Sequence, residues 1–180
     1  LHVAAAKGWT DVVNLLINTH QVRPNMVDHA RQTPLQAAVR NMHVDCALAI
    51  NKAGGDLNWD ETTAAGELCE AAKNGNSDKI ELMIQCGISV NSADYDKRTA
   101  LHLASSVGSL QIVKALLERG AEVNSVDRWG GTPLRDAVRE GHATVATALS
   151  ASGGELKFTE DEASGKLCEL AKQGSRDLLE

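Results

Sequence analysis

A leucine returns every 33 residues along this chain, at Leu35, Leu68, Leu101, Leu134 and Leu167, and that period constrains the fold more than any other feature. Self-similarity at such a spacing marks a repeat array: each unit is one supersecondary element that cannot bury its apolar face alone and is stabilised by stacking on its neighbours. The stretch 91–141 holds one whole unit and both of its joints. In it Leu101, Ala104, Ile112, Val113, Leu116 and Leu117 recur at helical spacing, while Gly108 and Gly120 punctuate two short helices. Leu1 falls 34 rather than 33 residues before Leu35. One extra residue is therefore expected in the loop after the first unit's second helix, around 19–25, where a surface connection tolerates insertion.

The period divides the chain into units 1–31, 32–64, 65–98, 99–131 and 132–163, with a partial sixth at 164–180. Thr33-Pro34 and Thr132-Pro133 predict helix starts, since proline suits the first helical position and a preceding threonine can cap the free amides. Unit two is unusual. Asn51 stands where unit four has Leu117, Gly54-Gly55 stops the second helix, and LNWDETTAAG reads as an atypical loop. Unit five repeats these oddities with Ser150 and Gly153-Gly154, and the pairs Asp28/Asp127, Thr33/Thr132 and Leu68/Leu167 are likewise 99 residues apart. A 99-residue triplet thus lies over the 33-residue unit. Because the sequence opens in mid-motif and closes inside a helix, it reads as a fragment of a larger chain.

Composition narrows the chemistry. With 43% hydrophobic residues but only three Trp, one Tyr and one Phe, the core must be built from Leu, Val, Ile and Ala. No window approaches 18 apolar residues and LHVAAAKGWT lacks a signal-peptide pattern, so direct membrane insertion is not expected. Four cysteines without CxxC spacing read as buried free thiols, which places the chain in a reducing, cytoplasmic compartment. A net charge of −6 with scattered Lys and Arg argues against a nucleic-acid surface.

His2 and His102 share a repeat position with Gln36, Cys69, Arg135 and Cys168. A metal or catalytic role would not survive such exchange, so these imidazoles are expected to bond loop backbone. His43 and His142 share another position, opening the second helix, and read as caps or loop anchors. Neither His20 nor His29 has a zinc-spaced partner. Asp60-Glu61 and Glu160-Asp161-Glu162 lack the calcium-loop frame and read as solvated, helix-initiating charge runs; Gly130-Gly131 reads as a turn. No set of nucleophile, base and oxyanion donors can be assembled, so neither catalysis nor a cofactor or metal is expected.

The aromatic residues Trp59, Tyr95, Trp129 and Phe158 all fall in the joints between units. Two readings stand open. The rings could pack over neighbouring loops and fix the stack, or they could project beside Asp96, Arg98 and Arg128 with the composition of an interface hot spot. The candidate partner-binding residues are accordingly Trp59, Tyr95, Asp96, Arg98, Arg128 and Trp129.

With TALH at 99–102, GAEVN at 120–124 and TPL at 132–134, the chain resembles the ankyrin-repeat family over its whole length. The resemblance implies an all-α solenoid of stacked helix-turn-helix units with projecting loops. It also implies binding of partner proteins through the loop tips and the concave face of the first helices. DYDKRTALHLASS followed by DRWGGTPLRDA is similar to the ankyrin tails of glutaminases and to the cytosolic segment of plant outward-rectifying potassium channels. The triplet layout is similar to that of the channels and of large asparaginases. A protein-interaction scaffold is the function this implies. The alternative is a regulatory or self-associating segment of a larger channel or amidohydrolase.

Overall fold

The computed structural model describes residues 1–157. It contains, in order, α1 His2–Lys7, α2 Thr10–Asn18, α3 Pro34–Arg40, α4 Val44–Lys52, α5 Glu61–Lys73, α6 Ser77–Gln85, α7 Ala100–Ser106, α8 Leu110–Glu118, α9 Pro133–Arg139 and α10 Ala143–Ala151. Among the described residues the one β feature is an isolated bridge between Ala93 and Thr99. Odd-numbered helices form one layer, in which α1 packs on α3, α5 on α7 and α7 on α9; in the second layer α2 packs on α4 and α8 on α10. Ala4, Ala38, Ala71, Ala104 and Ala137 occupy one repeat position and are all buried. Their small side chains let first-layer helices approach closely, while Leu35, Leu68, Leu101 and Leu134 fill the space between layers as part of one continuous core. Residues 158–180, with Phe158, Glu160-Asp161-Glu162, Leu167, Cys168 and the sixth unit, lie outside the described residues.

The helix starts follow the local chemistry. Thr33 Oγ1 accepts from the Gln36 amide at 3.3 Å while Gln36 Oε1 accepts from the Thr33 amide at 3.2 Å, a reciprocal cap ahead of Pro34. Thr132 caps α9 through the Arg135 amide. The extra residue of unit one falls where expected, since α2 and α3 are joined by residues 19–33 and α8 and α9 by residues 119–132.

In the first four units the residue after the first-layer leucine does one job with different chemistry. It donates to the carbonyl that brings the chain into the next helix: His2 Nε2 to Gln32 O at 2.8 Å, Cys69 Sγ to Arg98 O at 3.4 Å, His102 Nε2 to Gly131 O at 3.1 Å. Gln36 Nε2 reaches Leu57 O in the same way. His102 Nδ1 accepts from the Thr99 amide at 3.2 Å, which fixes the proton on Nε2. Burial of this ring pushes its pKa below the ordinary value, against smaller opposing effects from the Gly131 bond and nearby carboxylates. The sign follows: the unfolded chain takes up the proton first, so His102 supports full stability above the ordinary imidazole pKa of about 6.5 and loses that support as pH falls toward the lowered folded value. Denaturant titrations between pH 8 and pH 5 are expected to show this slope, and His102→Gln, which copies Gln36, is expected to flatten it.

His43 and His142 stand at the N-cap positions of α4 and α10, yet neither ring caps its helix. They are anchors instead. His43 Nε2 bonds Ala6 O at 3.1 Å and His142 Nε2 bonds Ser106 O at 3.0 Å, each ring lying over a glycine, Gly8 or Gly108, of the preceding unit. Cys46 and Cys69 are buried and Cys86 half-buried, all as free thiols. Burial pushes Cys69 up to about 12 and Cys86 up to about 11, so both stay protonated and unreactive at neutral pH.

One expectation is corrected. LNWDETTAAG is not a loop: Glu61–Gly66 form the first half of α5, and the unit boundary drawn at 64/65 falls inside that helix. The cause is local. Asp60 Oδ1 accepts from the Thr63 amide at 2.7 Å and caps a helix start, holding the Asp60 carboxyl below its ordinary pKa. Asn51, read as a weak packing position, instead donates from Nδ2 to Gln85 O at 3.1 Å, bridging unit two to unit three.

Candidate protein-binding loops

Three joints share one hairpin, at residues 28–32, 94–98 and 127–131. In each the leading aspartate curls over its own loop: Asp28 Oδ1 accepts from the Ala30 and Gln32 amides at 2.8 and 2.9 Å. Asp94 Oδ1 accepts from Asp96 and Arg98 at 2.9 and 2.8 Å, and Asp127 Oδ1 from Trp129 and Gly131 at 2.9 and 2.7 Å. The fourth residue takes a left-handed backbone, with φ 60° at Arg31, 58° at Lys97 and 77° at Gly130. These bonds hold the Asp28 carboxyl below its ordinary pKa, the Gln32 amide being the largest cause.

The second and third hairpins are locked together. The Arg128 amide donates to Asp96 O at 2.9 Å, and Arg128 Nη1 donates to Asp96 Oδ1, also at 2.9 Å. Its guanidinium then lies between two rings, 5.2 Å from the centre of Tyr95 and 5.7 Å from that of Trp129. The hydrogen bond to Asp96 and then that to Tyr95 raise the Arg128 pKa. Despite this lock, Tyr95 remains 79% exposed and Trp129 55%. Arg128 thus ties neighbouring loops while the outer faces of both rings meet solvent.

Of the six candidates, Tyr95, Asp96, Arg128 and Trp129 converge. Arg98 does not join them. Its Nη2 turns to Asp136 Oδ2 at 3.0 Å, while Arg139 Nη2 holds Asp136 Oδ1 at 3.0 Å, and the Asp136 side chain is 1% exposed. Arg98 thus fastens its hairpin to α9. Trp59 lies apart, at the foot of α5, half-buried against the core. Trp59→Ala is accordingly expected to lower stability by about 2 kcal/mol through lost packing, read as a shifted denaturation midpoint. Asp136 itself escaped sequence reasoning. Its repeat position holds Val3, Ala37, Glu70, Leu103 and Glu169 in the other units, so an acid there did not set Asp136 apart.

Elsewhere the surface offers less. A groove of about 150 Å³ between α6 and α8 has Ile80, Ile84, Ile112 and Ala115 on its floor, away from the hairpins. Among the described residues no group of His, Cys, Asp or Glu could hold a metal ion, and no helix is long and apolar enough to cross a membrane.

Comparison with known proteins agrees with this architecture. Family profiles described as ankyrin repeats match residues 1–49 and 68–159. An L-asparaginase of Dirofilaria immitis is 31% identical over 113 residues, covering 63% of this chain and 19% of that protein. Human inversin is 30% identical over 105 residues, 58% of this chain and 10% of inversin. The potassium channel AKT2/3 of Arabidopsis thaliana is 28% identical over 121 residues, 63% of this chain and 14% of the channel. The chain thus matches less than a fifth of the length of each of these relatives.

Proposed function

Because the chain belongs to the ankyrin-repeat family, whose repeats are generally protein-interaction modules, we propose that it binds a partner protein in the cytoplasm through the paired hairpins 94–98 and 127–131. The observation that carries this reading is the Arg128 lock. It presents Tyr95 and Trp129 to solvent in fixed positions, and exposed aromatics beside a charged pair match the anchors that dominate binding energy at interfaces. No catalytic step is assigned to the chain.

Quantitative capture of partner proteins from cell extract tests the proposal. Tyr95→Ala and Trp129→Ala are each expected to weaken capture by about tenfold or more without moving the denaturation midpoint, whereas Trp59→Ala should move the midpoint and leave capture intact at a temperature where the chain is folded. Undiminished capture by the double variant Tyr95→Ala/Trp129→Ala would overturn it. A second reading is favoured by the likeness to the asparaginase and the potassium channel: a self-associating, regulatory segment of a larger assembly. Sedimentation distinguishes the two, since self-association raises the apparent mass with concentration.

A further inference from the structure

We propose that the array bends at the joint between units two and three, about Asn58 and Trp59, so that residues 1–57 and 60–157 move as two bodies. This inference does not depend on which surface binds a partner. It rests on what the regular joints have and this one lacks.

A regular joint carries three restraints. The hairpin is the first. An asparagine clamp is the second: Asn25 Nδ2 donates to Gly54 O at 2.9 Å while its Oδ1 accepts from the Asp56 amide at 2.7 Å. Asn124 does the same to Gly153 O at 2.9 Å and the Glu155 amide at 2.8 Å. Asn91 Oδ1 likewise takes the Glu122 amide at 2.8 Å. Packing along first-layer helices is the third, as in α1 on α3 and α7 on α9.

All three fail at one place. The 33-residue period aligns Glu61 with Asp94 and Ala64 with Lys97. Glutamate carries its carboxylate one methylene too far to bond the amides two and four residues on, and alanine resists the left-handed backbone the fourth position needs; the segment becomes helix instead. Asn58, the counterpart of Asn91, has φ 48°; its backbone amide donates to Asp56 Oδ1 within the linker at 2.8 Å, and its side chain does not clamp the next unit. Meanwhile α3 and α5 hardly touch, and α3 and α4 meet α6 instead.

Apart from the exposed bond from Asn51 Nδ2 to Gln85 O, the hydrogen bonds of the two sides also stop short of each other. Asn25, Thr33 and Gln36 pin residues 54–57 to the first body, through Gly54 O, Asp56 O and Leu57 O. Asp60 caps α5 and belongs to the second. Two residues lie between, the first already in a sparsely populated backbone region, as hinges that absorb dihedral change often are. Bending there changes the spacing between hairpin 28–32 and the locked pair.

Distance distributions between spin labels on non-natural amino acids test this. Lys7, Asn74 and Glu140 are exposed and share one repeat position. The Lys7–Asn74 pair crosses the irregular joint, whereas Asn74–Glu140 spans two regular ones. The first distribution is expected to be at least about twofold broader than the second, and to narrow to match it when residues 59–66 are replaced by the equally long sequence of residues 92–99. Equal widths in the unaltered chain would overturn the proposal, as would a width that the replacement leaves unchanged. The unaltered chain decides by itself if the replacement does not fold.

Discussion

Asp136→Ala is expected to destabilise the chain by about 3 kcal/mol, because it leaves a half-buried guanidinium without its partner. The carboxylate is enclosed, at 1% exposure, and accepts through one oxygen from Arg98 and through the other from Arg139. Arg98 is 23% exposed and cannot simply rotate into water, since its Nε is already buried without a partner. Arg139 is 52% exposed and also reaches Glu140, so its own loss is small. The expected shift in melting temperature is roughly 6–12 °C. Arg139→Ala, which leaves Arg98 paired, should fall within about 1 kcal/mol of the parent. If Asp136→Ala proves no worse than Arg139→Ala, the clamp between hairpin 94–98 and α9 has no energetic role.

Gly108→Ala is the second large effect, of about 3 kcal/mol, and it separates into two parts. The backbone at Gly108 has φ 74°, where an alanine costs about 1 kcal/mol. A Cβ there would also stand 2.5 Å from His142 Nδ1, and relieving that overlap adds about 2 kcal/mol. Gly75 has nearly the same φ, 75°, but open space around it, so Gly75→Ala should show the backbone part alone. Adding His142→Ala to Gly108→Ala should recover the steric part and no more. Denaturant titration of the four variants checks the cycle; additive effects of Gly108→Ala and His142→Ala would mean the ring simply moves aside.

Much of this fold was legible because a repeat reports each position several times over. Leu35, Leu68, Leu101 and Leu134 announce the core, Thr33-Pro34 and Thr132-Pro133 announce helix starts, and the exchange of His, Gln and Cys after those leucines announces a backbone bond rather than a reaction centre. Position 61 was misread for the same reason. The period extends a loop through 58–66 by analogy, whereas the hairpin depends on particular groups, an aspartate to curl over its loop and a residue tolerant of positive φ, that Glu61 and Ala64 do not supply. At the candidate site the aromatics were visible in the sequence and the grouping was not. Trp59 and Trp129 look alike in one dimension; only the neighbouring helix start decides that one packs inward, and only the bond to Asp96 decides that Arg128 joins Tyr95 to Trp129.

The lock between Asp96 and Arg128 has a kinetic consequence. Two loops from different units are held in register before any partner arrives, so the entropy of ordering them is lost during folding rather than at encounter. On the binding role proposed for these loops, association needs no rearrangement of this surface, and changes to the outward rings act on how long a complex lasts more than on how fast it forms. Under that proposal specificity can drift by exchange of the residues at 95 and 129, while the bonds that aim them stay as they are.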